Sequence, residues 1–226
     1  MPGFTQTASS WAGVREIVDE SCASVAVDVP VRDSFVATAH AIGARGKQGV
    51  YVGYSMGGRL CLRLALDYPD LVRALVLVSM SPGIPDETAR AERIASDEVL
   101  ARMVERDGVD AFLEKWLAQP LFATVPPNAP GLADRRSLSP TYIAHCLRVL
   151  GAGVMEPMWA RLGELSMPVA LVTGTLDARY DAVAKHMLER LTGTATHVRL
   201  DGGHSLPLEQ PAVLGGFVTA FAAQHG

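Results

Sequence analysis

The sequence predicts an α/β fold in which a mostly parallel central sheet is flanked by helices. Short apolar runs rich in β-branched residues recur along the chain, and each has the length of a strand. The runs are continuous rather than alternating, which is typical of parallel strands covered on both faces. Helix-compatible stretches lie between several of them. The runs are residues 24–28, 49–53, 73–79, 168–174 and 196–200.

A helical insertion is predicted between the third and fourth of these strands. Residues 86–118 are rich in Ala, Glu, Arg and Leu, which favour helix. Residues 120–140 contain five prolines, which predict a loop between helices of the insertion. A final apolar pattern with helical spacing predicts a closing amphipathic helix through Leu214, Phe217, Val218 and Phe221. The expected division of one domain, 1–226, is a core of residues 1–82 and 167–226 and a helical cap of residues 83–166.

Composition limits the class of protein. Of the 226 residues, 49% are hydrophobic and 19% are charged, as in folded globular chains. The net charge of -4 offers no basic surface, so we expect no nucleic-acid partner. The apolar runs are too short to span a bilayer and residues 1–20 lack a signal-peptide pattern, so we expect no membrane partner and a cytoplasmic location. The sequence carries no signal for an oligomeric state.

The three cysteines do not form a recognisable pattern. Cys22, Cys61 and Cys146 are odd in number and lack CxxC spacing. They therefore predict neither a disulfide framework nor a zinc site, and reduced thiols fit best.

A candidate nucleophile follows the second predicted strand. Residues 53–59 read GYSMGGR and contain a GxSxG motif where a strand gives way to a helix. A serine in that context lies on a sharp turn that exposes its Oγ atom, and the small residues beside it permit a strained backbone. The helix N-terminus also favours developing negative charge. We predict that Ser55 is the nucleophile.

An acid and a histidine follow in the chain order that this motif predicts. Asp177 comes directly after the fourth strand, and His204 comes after the fifth. His204 is expected to accept the proton of Ser55, while Asp177 fixes the tautomer of the imidazole and stabilises its cation. Asp181 and Asp201 remain alternative acids. The other histidines are expected to be packing or surface residues: His40, His145, His186, His197 and His225.

These motifs resemble the α/β-hydrolase superfamily and, within it, the family of pyruvate-eliminating 2-succinyl-6-hydroxy-2,4-cyclohexadiene-1-carboxylate synthases of menaquinone biosynthesis. The GYSMGGR segment carries most of the likeness, together with Asp177-Ala178-Arg179-Tyr180, which is similar to the family's Asp-x-Lys-Phe. Further similar segments are SPGI at 81–84, the Glu87, Arg90 and Arg93 spacing, WLAQPLF at 116–122, Gly203-His204 and Glu209-Gln210-Pro211.

The resemblance implies an α/β-hydrolase fold and an oxyanion hole. The Pro2-Gly3-Phe4 loop stands where the superfamily has its His-Gly-x loop, so the implied donors are the backbone N–H groups of Phe4 and Met56. The strand that normally precedes this loop is absent from the sequence. We therefore expect the N-terminal strands of the sheet to be missing or truncated.

The implied reaction is elimination of pyruvate from a succinyl- and enolpyruvyl-bearing cyclohexene carboxylate, without a metal or an organic cofactor. Such a small-molecule carboxylate substrate favours arginines near the nucleophile. Arg59 is the first candidate, since it lies one helical turn after Ser55, and Arg179 is the second; Arg59 alternatively forms an ordinary helix-surface ion pair. The full set of implied substrate-binding residues is Tyr54, Arg59, Arg90, Arg93, Trp116, Phe122, Arg136 and Arg179.

Several alternatives stay open at this point. Trp116 and Phe122 are equally compatible with the packed interior of the cap, and Tyr54 with an aromatic residue at a strand end. A carboxylesterase or a carbon–carbon bond hydrolase of the same fold would use the same triad. A non-catalytic binding protein is a third possibility, because a lost oxyanion donor costs about 100-fold to 1,000-fold in rate.

Overall fold

Four parallel strands form one sheet in the computed structural model, which describes residues 1–129 and 131–226. Each neighbouring pair is parallel, in the order β1-β2-β3-β4. The predicted α/β class is confirmed, as are four of the five predicted strands. The strands are β1 (Gly49–Tyr54), β2 (Val72–Val78), β3 (Val169–Gly174) and β4 (Ala195–Leu200).

The first predicted strand is wrong. Residues 24–28 have no strand structure and belong to a loop. Val25 is 84% exposed, and Asp28 accepts a hydrogen bond from the Ala8 N–H at 2.6 Å. A β-branched run becomes a strand only where a neighbouring strand can pair with its backbone, and none does so here in the described part of the chain.

Met1 pairs with β1. Its terminal amino group donates to Val52 O at 2.8 Å, and the Tyr54 N–H donates to Met1 O at 3.1 Å. These two bonds have the pattern of a parallel bridge beside β1. The prediction that N-terminal strands are missing concerns residues outside this sequence, so it stays a prediction.

Helices cover both faces of the sheet. On one face α1 (Ala12–Val18) packs against α8 (Pro211–His225), which contacts β1 and β2. On the other face lie α3 (Met56–Asp67) and α6 (Ala178–Leu188), with α2 (Phe35–Gly43) packed on α3. The predicted closing helix is thus confirmed as α8. None of the helices in residues 1–129 and 131–226 is both long and apolar enough to span a membrane.

The central strands are buried on both sides, which explains their continuous apolar sequences. In β2, Leu75 and Leu77 pack into the cluster that contains the α3 residue Leu64. The alternate residues Val76 and Val78 pack into the cluster on the α8 side. A strand with two apolar faces cannot show the polar alternation of a half-exposed strand.

The predicted helical insertion lies between β2 and β3. Its long helix α4 (Glu87–Leu117) packs on α5 (Pro140–Leu150) around a separate apolar cluster that includes Phe112 and Ile143. Gly108 interrupts the helical backbone of α4 with a φ of 83°. The predicted connecting loop holds two short 3-10 turns in its described residues and ends at Pro140, where α5 begins. One of its prolines, Pro130, lies outside the described residues.

The tight contact between β1 and α3 gives a test of the fold. A Cβ atom on Gly53 would lie 2.5 Å from Gly57 O. Because that atom is backbone, we expect Gly53→Ala to lower the free energy of unfolding by about 1–3 kcal/mol, measured by urea denaturation. A Cβ atom on Gly216, in α8, would meet nothing within 4 Å among the described residues. The control Gly216→Ala should raise stability by up to about 1 kcal/mol. A Gly53→Ala protein as stable as the parent would contradict the packing.

Candidate active site

The backbone at Ser55 forms a strained turn between β1 and α3. Ser55 has φ 51° and ψ -112°, a conformation that costs a non-glycine residue about 1–3 kcal/mol. The turn is held by a hydrogen bond from the Ser55 N–H to Val78 O at 2.9 Å. The close approach of Gly53 to Gly57 leaves no room for a larger residue. The GxSxG motif therefore forms the exposed serine turn that the sequence predicts.

His204 and Asp177 form a buried pair at the carboxyl ends of β4 and β3. His204 Nδ1 lies 2.7 Å from Asp177 Oδ2, and only 3% and 6% of the two residues is exposed. Asp177 also caps α6, since its Oδ1 accepts the Tyr180 N–H at 3.3 Å. An ionised carboxylate at Nδ1 favours the tautomer with the proton on that nitrogen, which leaves Nε2 as the free base.

Ser55 and His204 line the same cavity. Within the described residues no hydrogen bond joins the Ser55 hydroxyl to His204. Serine–histidine contacts in unliganded enzymes are often long and shorten when substrate binds, so the missing hydrogen bond is compatible with proton transfer.

The two alternative acids make other contacts. Asp181 pairs with Lys185 at 2.7 Å and with Arg199 at 3.0 Å. Asp201 accepts a hydrogen bond from the Thr175 hydroxyl at 3.2 Å. Asp177 is the acid that contacts His204 in the described structure. The remaining histidines lie outside the described cavity lining: His40, His145, His186, His197 and His225.

Two backbone N–H groups are available to bind an oxyanion. Phe4 and Met56 both line the cavity. Neither N–H has an acceptor among the described residues, and Met56 is the first residue of α3, where helix N–H groups lack intrahelical partners. The Gly3–Gln6 turn holds Phe4, with the Gln6 N–H donating to Gly3 O at 3.1 Å. These are the two N–H groups that the sequence predicts as oxyanion donors, and that role stays a prediction.

Three of the predicted arginines line the cavity: Arg59, Arg93 and Arg179. Arg59 donates from Nη1 to Leu150 O at 2.9 Å, and burial lowers the pKa of its guanidinium to about 10. It therefore stays charged at neutral pH. Arg93 pairs through Nε with Asp97 at 2.8 Å. Burial raises the pKa of the Asp97 carboxyl.

Arg135 is a cavity residue that the sequence analysis missed. It is 1% exposed and lines the cavity, with Nη1 donating to Thr5 Oγ1 at 3.0 Å. Its Nε and Nη2 atoms are buried and have no partner in the described residues. Burial lowers the pKa of this guanidinium. A buried cation with unused donors is suited to binding an anionic ligand.

Two of the predicted substrate-binding arginines, Arg90 and Arg136, do not line the described cavity. Arg136 pairs with Asp110 at 3.1 Å, and its side chain is 73% exposed. Arg90 donates to Gly153 O at 3.4 Å and does not line the described cavity. The sequence predicts Arg136, whereas the neighbouring Arg135 lines the cavity. Both residues lie in the 3-10 turn Ala133–Ser137, which has no apolar periodicity to show which of them faces inward.

Aromatic side chains surround the imidazole of His204. The rings of Tyr180, Tyr54 and Phe122 lie 4.6, 5.3 and 6.3 Å from it, centroid to centroid. Trp116 lines the same cavity, and its buried Nε1 donor has no partner among the described residues. The predicted positions of Tyr54, Trp116 and Phe122 at the cavity agree with the structure.

The Tyr54 hydroxyl is used inside the protein. It lies 2.9 Å from the Ser205 hydroxyl, and burial raises its pKa well above the usual value for tyrosine. Tyr54 therefore presents its ring, rather than a phenolate, to the site.

The cavity is strongly cationic although the chain as a whole is anionic. Four arginines line it and no aspartate or glutamate does, among the residues that the structure describes. The net charge of the full sequence is -4. Such a concentration of positive charge in a partly enclosed site favours a ligand with several negative groups.

The chain belongs to the α/β hydrolase family, whose pattern it matches over residues 1–215. It is 34% identical over 175 residues to a Bacillus subtilis (strain 168) protein named as a 2-succinyl-6-hydroxy-2,4-cyclohexadiene-1-carboxylate synthase. That alignment covers 75% of this chain and 64% of the relative, so it spans less than two thirds of the relative's length.

Two solved structures are similar to the fold. MenH from S. aureus superposes with a TM-score of 0.83 at 23% identity, covering 99% of this chain and 91% of that one. A thermophilic esterase from Thermogutta terrifontis superposes with a TM-score of 0.72 at 21% identity, covering 99% of this chain and 88% of that one. Both confirm the predicted α/β-hydrolase fold.

The contrast between Arg135 and Arg136 gives a test of the cavity's charge. We expect Arg135→Met to weaken succinate binding about 10-fold to 100-fold, because charge-assisted hydrogen bonds contribute about 1.5–3 kcal/mol. Stability should not fall, since the change removes a buried cation with unpaired donors. Isothermal titration calorimetry and urea denaturation measure the two effects. The neighbouring control Arg136→Met should bind succinate as the parent does, and equal dissociation constants for both variants would refute the assignment.

Proposed function

We propose that this protein eliminates pyruvate from 2-succinyl-5-enolpyruvyl-6-hydroxy-3-cyclohexene-1-carboxylate, a lyase reaction of menaquinone biosynthesis. The observation that carries the proposal is the set of four arginines around a serine turn and a histidine–aspartate pair. The similarity to the Bacillus subtilis synthase supports it. Ser55, His204 and Asp177 are the proposed catalytic triad.

The charges of the substrate and of the cavity are complementary. The substrate carries three carboxylates, one on the ring, one on the succinyl chain and one on the enolpyruvyl group. Arg59, Arg135 and Arg179 provide guanidinium groups that no carboxylate of the described residues pairs within 4 Å. Arg93 is already paired with Asp97, whose carboxylate partly neutralises its charge. Planar guanidinium groups bind carboxylates through paired hydrogen bonds.

The proposed step begins with removal of a proton from the ring carbon that bears the succinyl group. That proton is acidic because it lies next to the succinyl ketone. His204 Nε2 takes the proton of the Ser55 hydroxyl, and the serine oxygen takes the proton of the ring carbon. The Asp177 carboxylate stabilises the resulting imidazolium through Nδ1.

Electron redistribution in the ring completes the elimination. The electron pair of the broken C–H bond forms a new ring double bond, and the existing double bond shifts by one position. The C–O bond to the enolpyruvyl group breaks, and the departing enolate takes the proton of the His204 imidazolium to become pyruvate, while the Ser55 hydroxyl keeps the proton of the ring carbon. The backbone N–H groups of Phe4 and Met56 are the proposed donors to the ketone oxygen while it carries negative charge.

A coupled assay for pyruvate tests this proposal. The enolpyruvyl cyclohexene carboxylate is supplied, and lactate dehydrogenase with NADH reports pyruvate. Ser55→Ala should fold normally and lose at least about 1,000-fold in kcat, because it removes the proposed proton carrier. The matched control Ser166→Ala changes an exposed serine outside the described cavity lining and should keep parental activity.

Ester hydrolysis is the second candidate function. A serine turn, a histidine–aspartate pair and two unpaired N–H groups also suit acyl transfer. The same preparations are therefore assayed with p-nitrophenyl acetate. Turnover of the ester without pyruvate release would assign the protein to the hydrolases. Absence of both activities would favour the non-catalytic alternative, and pyruvate release that persists in Ser55→Ala would refute the serine mechanism.

A further inference from the structure

The carboxylate of Glu209 binds the backbone on both sides of His204. Its Oε2 accepts the Gly203 N–H at 2.6 Å, and its Oε1 accepts the Ser205 N–H at 2.8 Å. The side chain thus spans the residue before and the residue after the histidine. Hydrogen bonds to an ionised acceptor are shorter and stronger than those between neutral groups.

The local sequence builds this contact. Residues Leu206–Glu209 form α7, a single helical turn, and the Glu209 N–H donates back to Ser205 O at 3.0 Å. That turn returns the Glu209 side chain to the segment it follows. Gly203 leaves room for it, since a Cβ there would lie 3.1 Å from Glu209 Oε2 and 2.2 Å from Thr124 Oγ1.

The same segment is tied to the nucleophile turn. The Ser205 hydroxyl lies 2.9 Å from the Tyr54 hydroxyl, and Tyr54 directly precedes Ser55. Glu209 therefore fixes the backbone segment that carries His204. The next residue of that segment, Ser205, contacts Tyr54, which precedes Ser55. Asp177 contacts the imidazole ring of His204, whereas Glu209 contacts the main chain on either side of it.

We propose that Glu209 is a positioning residue, which holds His204 in register with Ser55 through the two flanking backbone N–H groups. This inference rests on the proposed role of His204 as the base. An error of about 1 Å in the position of a catalytic group costs up to about 100-fold in rate, so a clamp on both sides of the base affects turnover more than substrate binding.

A purely structural role for Glu209 is the competing explanation. A glutamate that reaches back to the N–H at the start of a helix commonly stabilises that helix. Such a role would lower the folded fraction of the protein and leave the kinetics of the folded molecules unchanged. A positioning role therefore lowers kcat in the folded protein and changes the environment of the imidazole, whereas a purely structural role does neither.

The test compares Glu209→Gln, Glu209→Asp and the control Glu189→Gln. Glutamine keeps one acceptor but points an NH2 group at the second backbone N–H, whereas aspartate keeps both acceptors on a shorter side chain. Glu189 has a side chain that is 73% exposed, and its change removes the same charge. The kinetics are measured at temperatures where denaturation curves establish that each variant is fully folded.

For Glu209→Gln we expect kcat to fall about 10-fold to 100-fold with KM within about twofold of the parent. Glu209→Asp should recover part of the loss, and Glu189→Gln should match the parent. Nitrogen-15 spectra of histidine-labelled protein should show a changed Nδ1 shift for His204, identified by its loss in His204→Asn. These spectra need no substrate, so they test the clamp even if the proposed reaction fails.

Two results would overturn the inference. One is a parental kcat in fully folded Glu209→Gln. The other is an unchanged His204 Nδ1 shift in that variant, which would mean that the two hydrogen bonds of Glu209 do not position the imidazole. Failure of the proposed function has a different signature, namely absence of pyruvate release from the parent protein while the Nδ1 shift of Glu209→Gln still changes.

Discussion

The strained turn at Ser55 is the constraint on which the rest of the site depends. Its φ of 51° is unfavourable for serine and persists because the Ser55 N–H is bound to Val78 O in the neighbouring strand. Since α3 begins immediately afterwards, the Met56 N–H has no intrahelical partner. One local conformation therefore places the proposed nucleophile at the cavity and leaves free the N–H that we propose as an oxyanion donor, and the cost of the strain is offset by the surrounding sheet.

Parallel strand order brings the other parts of the site to the same edge. Asp177 follows β3 and His204 follows β4, so their side chains reach the carboxyl edge where Ser55 follows β1. Ligand sites of open α/β sheets form at this edge. The hydrogen bond of 2.7 Å between His204 and Asp177 is thus a consequence of topology as well as of residue type.

Burial sets Arg59 and Arg135 apart from the other arginines of the cavity. Removing a guanidinium from water is unfavourable, and lowered pKa values at Arg59 and Arg135 express that cost. Among the described residues Arg135 has a single hydrogen-bond partner, the Thr5 hydroxyl, so its remaining donors gain most from an anionic ligand. We expect a site arranged in this way to discriminate against neutral ligands, because they leave the buried donors unpaired.

The sequence by itself determined the α/β class, four strands, the serine turn and the pairing of Asp177 with His204. These features depend on interactions within short segments or on chain order, which periodicity and motifs record. Tertiary structure alone decided that residues 24–28 are not a strand, because strand formation requires a neighbouring backbone. It also decided that Arg135, rather than Arg136, faces the cavity, since the direction of a side chain in an irregular turn depends on packing against distant residues such as Thr5.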